Sequence, residues 1–159
     1  MLNSRHLPPT ITRVARHTSI DVNAQIRART DAAVAQMERA SPAELTQRIA
    51  LLDREWDIER VLQANAATLA LTGVLLGRRV HPRFLLLSAG VFGFLLQRAL
   101  QGWCPPLPVL RRLGVRTAAE IERERYALKA LRGDFDELPT PDQADGGTRV
   151  RAVLQAVDR

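Results

Sequence analysis

Residues 61–97 read VLQANAATLALTGVLLG, then RRVHPR, then FLLLSAGVFGFLLQ: two runs free of charged residues, joined by a basic turn. A helix rises about 1.5 Å per residue, so 61–77 covers about 26 Å, just short of a hydrocarbon core of about 30 Å. One such run alone is marginal. Two back to back point to a helical pair that enters a bilayer together. The competing arrangement is a pair buried in a soluble bundle, which would need amphipathic helices to cover both runs on every side. The segments on either side are too charged to do so. Gln63, Asn65, Gln97 and Arg98 fall near the ends of the runs, where long side chains reach water.

Small residues supply a means of packing, because lipid gives no hydrophobic drive between helices and close backbone approach must replace it. Gly73 and Gly77 form a GxxxG. Ala89 and Gly93 repeat that spacing on the second run, with Gly90 beside them. The pattern suits contact within one chain or between two copies, so a homodimer is among the expected partners. Trp56 and Trp103 bracket the pair at the position where indole favours the headgroup layer. Arg78, Arg79 and Arg83 in the turn, and Arg111 and Arg112 after the second run, suit contact with anionic headgroups. Arg48, Arg54, Arg60, Arg98, Arg111, Arg112 and Arg116 lie on the terminal side against three arginines in the turn. By the positive-inside rule both termini are then cytoplasmic.

Outward from this core the chain reads as helix throughout, an all-α fold. Ala and Leu dominate the apolar content and aromatic residues make up only 4%. Residues 1–17 carry paired prolines and no periodicity, a lead-in without the apolar run of a signal peptide. Residues 18–60 read as a charged helical extension. Thr18 with Asp21 resembles a capping box opening a mostly solvated helix to about Arg39, and Ser41, Pro42 and Glu44 make a stronger start signal. From there Leu45, Ile49, Leu52 and Trp56 form one apolar stripe, as on a core-facing or interfacial helix. The transmembrane hairpin with its exit segment spans 61–117. Thr117 and Glu120 open an amphipathic helix over 118–133, closed by Gly133. Residues 134–159 read as a flexible tail, with a short helix carried by Val150, Val153, Leu154 and Val157.

The formal charge of +6 does not imply nucleic acid, because the arginines alternate with Asp and Glu instead of forming one block. Cys104, the single cysteine, excludes an intramolecular disulfide and a Cys-rich zinc site. It is also the one candidate nucleophile, if Arg98, Arg111 or Arg112 favours its thiolate; otherwise it packs as a small apolar side chain. His6, His17 and His81 are scattered and have no carboxylate at ligand spacing, so no metal is expected. Asp53, Glu55, Asp57 and Glu59 interleave with Arg54 and Arg60 as a solvated, salt-bridged face. No Walker loop or dinucleotide fingerprint occurs, and no cofactor is implied.

The exit segment carries a resemblance. Gly102-Trp103-Cys104-Pro105 through Leu113-Gly114-Val115-Arg116-Thr117, directly after two short apolar helices, is similar to the YgaP-like inner-membrane hairpin family. That pattern is Cys-Pro, a short apolar stretch, Leu-Gly, a branched residue, a variable position and Thr. It covers roughly residues 55–118. The resemblance implies a bacterial inner-membrane protein with cytoplasmic termini, often dimeric. Some relatives carry a rhodanese domain, which suggests a thiol or persulfide carrier role for Cys104. The chain departs from the pattern at Pro106, Pro108 and the Arg111-Arg112 pair, and it has no rhodanese loop. The expectation is thus a non-enzymatic scaffold or accessory subunit in contact with the lipid bilayer and a cytoplasmic protein partner. The alternatives are the sulfur carrier and a soluble helical interaction protein.

Overall fold

The computed structural model describes residues 12–140, 142 and 145–158. Among them the protein is all-helical and no strand occurs. The first part of the expected lead-in, with His6, lies outside the described residues. The chain forms two compact units, each assembled from separated stretches: one holds the described residues up to Arg27 with Trp56–Ala119, the other Ala28–Glu55 with Glu120 onward. Neither unit is one continuous stretch of chain, because helix contacts close over long separations.

The first unit contains α1 (Arg13–Arg16), the start of α2 (Ile20–Gln36), and α4 (Ile58–Arg79). A 3-10 turn (Pro82–Phe84), α5 (Leu85–Gln101) and α6 (Leu107–Arg112) complete it. The expected capping box at Thr18 does not form. The Thr18 hydroxyl donates to the Val14 carbonyl at 2.8 Å, closing α1 instead of opening α2. The stripe read through Trp56 also breaks. The chain leaves helix after Leu52, and Asp57 starts a new one by accepting from the Arg60 amide at 2.8 Å, so α4 begins before the apolar run does.

Helices α4 and α5 pack antiparallel, and the glycines explain how. A Cβ on Gly73 would stand 2.5 Å from the Ser88 hydroxyl and 3.0 Å from the Phe84 carbonyl, and one on Gly77 would stand 2.8 Å from the Leu85 side chain. Only hydrogen fits at either site. The Ser88 hydroxyl donates across to the Ala70 carbonyl at 2.8 Å, so the one buried hydroxyl of the interface is satisfied. Gly102 ends α5 in the left-handed region at φ 79°, with its amide on the Arg98 carbonyl. From there the chain turns through Cys104 into α6. Val14, Ile58, Leu62, Cys104 and Leu107 form the small core of this unit.

The second unit contains the rest of α2, α3 (Pro42–Leu52), nearly all of α7 (Ala118–Arg132) and α8 (Gly146–Asp158). Ser41 caps α3 in a complete capping box: its side chain accepts from the Glu44 amide and the Glu44 carboxylate accepts from the Ser41 amide. That pairing holds the Glu44 carboxyl below its ordinary range. Leu45, Ile49 and Leu52 pack against Ile121 and Leu128, with Met37 and Ala40 at the edge. Glu124 is buried here and accepts from both Nε and Nη2 of Arg48. The tail is more ordered than its composition indicates. Helix α8 begins at Gly146, four residues before the first apolar residue of the short helix read from the sequence, and Lys129, itself buried, donates to the Val157 carbonyl at 2.6 Å in its last turn. A cation at that end is favoured by the partial negative charge of the helix C-terminus.

Candidate functional site

Two features of the first unit stand out: an uncovered apolar surface, and a cavity where the unit closes. Among the described residues one helix, Pro82–Gln101, is long and apolar enough to cross a membrane, and only 11% of its apolar window is buried. A core helix of a soluble domain would be mostly buried. Leu86, Phe92, Leu96 and Leu100 on α5, with Leu71 and Val74 on α4, are exposed. Helix α4 does not reach the same composition, because Gln63, Asn65, Thr68 and Thr72 interrupt it. Two of these polar groups are satisfied inside the helix: Thr68 donates to the Ala64 carbonyl and Thr72 to the Thr68 carbonyl, each at 2.8 Å.

Charged groups mark both ends of the pair. Arg78, Arg79 and Arg83 are exposed around the turn, where His81 Nδ1 accepts from the Arg83 amide and starts the 3-10 segment. At the opposite end Glu59 bonds the Nη2 groups of both Arg98 and Arg13. The acidic run was expected to be a solvated face, yet Glu59 holds α4, α5 and α1 together through these two arginines. The clue was present in the sequence. Arg98 is a lone cation at the end of an otherwise uncharged helix, and such a residue normally has a partner. His17 contacts the Gln101 carbonyl at 3.2 Å and joins α1 to the same end.

The structure separates the residues expected at a headgroup layer. Trp56 is exposed, with the Arg60 guanidinium 4.3 Å above its ring, and Trp103 and Arg112 are exposed as well. Arg111 is different: it is only 1% exposed, and it donates to the Val115 carbonyl, the Thr18 hydroxyl and the Asn23 side-chain carbonyl. A guanidinium presents its donors in a fixed fork, and here the fork ties α6 to the start of α2 instead of meeting lipid. The small residues divide too. Gly73 and Gly77 lie inside the α4–α5 contact, whereas Ala89, Gly90 and Gly93 face outward, and a Cβ at either glycine of α5 would meet nothing within 4 Å.

The cavity has a volume of about 420 Å³ and is bounded by α4, α5 and the Cys104–Pro106 exit. Leu62, Ala66 and Leu69 form its α4 wall, and Val91 and Phe94 lie on the α5 side, with Arg98 and Cys104 at the closed end. Cys104 is buried. Burial pushes its thiol above the ordinary value, and the nearby positive charge of Arg98 only partly opposes this. A thiol held protonated is a poor nucleophile. No group of three or more metal-ligating side chains occurs among the described residues.

Comparison with family models, curated proteins and solved structures finds no match to this chain.

Proposed function

We propose that the protein is a non-enzymatic accessory or scaffold subunit of a bacterial inner membrane, in which α4 and α5 insert together as a hairpin with both termini cytoplasmic. The observation that carries this reading is the outward apolar face of α5, with Phe92 59% exposed in the middle of a helix long enough to span. The internally bonded threonines of α4 and the arginines at the turn agree with it. So does the similarity of the Cys104–Thr117 exit to the YgaP-like pattern. A cytoplasmic protein partner would meet the charged helices outside the hairpin. The open Ala89–Gly93 face of α5 suits a second copy of the chain. A persulfide-carrier role for Cys104 is the weaker reading, since its thiol is buried and held protonated.

Fractionation of cells expressing the full chain tests the anchor. The expected result is sedimentation with membranes that resists alkaline carbonate, and loss of that resistance when Leu86 and Phe92 are both replaced by Glu. Recovery of the unaltered chain in the supernatant without detergent would overturn the reading in favour of a soluble helical interaction protein.

A further inference from the structure

The cavity beside Cys104 has features that an anchor alone does not require. Its volume, about 420 Å³, falls in the range of roughly 300–1,000 Å³ typical of small-molecule sites. Its shape follows from the helices. Leu62, Ala66 and Leu69 lie along one side of α4, and Val91, Phe94 and Arg98 run in the opposite direction along α5. From position 62 to 69 a helix rises about 10 Å, so the space is an apolar slot between two antiparallel helices.

Asn65 and Thr68 add polar groups along the α4 wall, but the one charged side chain of the lining is Arg98. Arg98 is 6% exposed, and while its Nη2 bonds Glu59, its Nε–H is buried without a partner. The Nε–H of Arg13 on the other side of Glu59 is likewise buried without a partner. Two guanidinium groups share one carboxylate, so the cluster keeps one positive charge. An apolar slot ending at a guanidinium of this cationic cluster is complementary to an apolar tail ending in an acidic oxygen.

We infer that the slot binds one acyl-chain amphiphile, with its tail between α4 and α5 and a singly charged acidic head on Arg98. A fatty acid carboxylate and the phosphodiester of an anionic phospholipid share this chemistry. The bilayer as source of the ligand rests on the membrane reading; the site itself does not.

Native mass spectrometry of the full chain in nonionic detergent, titrated with oleate, dioleoyl phosphatidylglycerol and dioleoyl phosphatidylcholine, tests the inference. The expected result is a single bound anionic molecule, preferred over phosphatidylcholine by about tenfold, the ratio one charge-assisted hydrogen bond supplies. Ala66→Phe fills the slot without touching a charge, and it should abolish binding while helical circular dichroism is retained. Arg98→Gln should bind the anionic and zwitterionic lipids alike. Oleate outcompeting phosphatidylglycerol identifies a free fatty acid, and the reverse identifies a phospholipid; both support the site. Equal binding of phosphatidylcholine and the anionic probes by the unaltered chain overturns it, as does unchanged binding by Ala66→Phe. Carbonate fractionation of the same chain keeps the two proposals apart. A chain that sediments with membranes but shows no selectivity retains the anchor and loses the site. A chain that is recovered soluble and still binds oleate loses the anchor and retains the site.

Discussion

Glu59, in the first turn of α4, is ion-paired with Arg98, in the last turn of α5, and this pair closes the end of the two helices opposite their connecting turn. Arg13 adds a second guanidinium to the same carboxylate at 3.3 Å. The arrangement costs desolvation of Arg98, which is repaid only while Glu59 remains ionised and in place.

Replacing Glu59 by Gln should therefore destabilise the helix pair by about 2–3 kcal/mol, because Arg98 is left buried without its counterion. Thermal unfolding followed by circular dichroism in detergent measures this. Combining Glu59→Gln with Arg98→Met should be less destabilising than Glu59→Gln alone, since only the less buried guanidinium of Arg13 is then left without its carboxylate. Additive losses would contradict the pairing.

The glycines on the two helices should respond in opposite ways. Gly73→Leu forces bulk against the Ser88 hydroxyl and the Phe84 carbonyl, and should cost about 1–3 kcal/mol through overpacking. Gly93→Ala faces open space and should be neutral, or stabilising by up to about 1 kcal/mol through helix propensity. If a second copy packs on α5, Gly93→Ile should abolish crosslinking between copies in intact membranes without lowering the unfolding temperature of the monomer.

Cys104 should alkylate slowly with iodoacetamide at pH 8 in the folded chain and rapidly once guanidinium chloride unfolds it. Burial raises the thiol, so the proton is held more tightly in the folded state than in the unfolded state. The sign of the linkage follows: the contribution is fully present below the ordinary thiol value of about 8.5 and is lost as pH rises through the higher folded value. Stability should thus fall on the alkaline side, and Cys104→Ala should remove that part of the fall. Rapid alkylation of the folded chain at neutral pH would instead favour the carrier role.

Arg111→Met should destabilise the first unit by an amount on the order of 3 kcal/mol, because the Val115 carbonyl, the Thr18 hydroxyl and the Asn23 side chain lose their buried donor. Arg112→Met, exposed one residue later, should fall within about 0.5 kcal/mol of the unaltered chain. Equal effects at the two positions would show that both serve the surface.

Lys129→Met should release α8. Amide exchange over residues 146–158 is the measurement, and the expected outcome is loss of protection there while α3 remains protected.

The sequence by itself determined the helical class and the strongest local signals. The absence of charge over 61–77 and 84–97, the Ser41–Glu44 box and the glycine-marked helix ends at Gly102, Gly114 and Gly133 depend on residues within a few positions of each other. Periodicity and capping report such short-range physics well. Tertiary structure alone decided the rest. It broke the Leu45–Trp56 stripe after Leu52, because Asp57 offered a new cap. It took Thr18 from the start of α2 to the end of α1 and to Arg111, across 93 residues of chain. It turned Glu59 from one member of an acidic run into the partner of Arg98, 39 residues away, and so formed the cationic end of the Cys104 cavity. A charged side chain reads the same in sequence whether it faces water or a buried guanidinium. Which of the two it meets is set by helices brought together from distant parts of the chain.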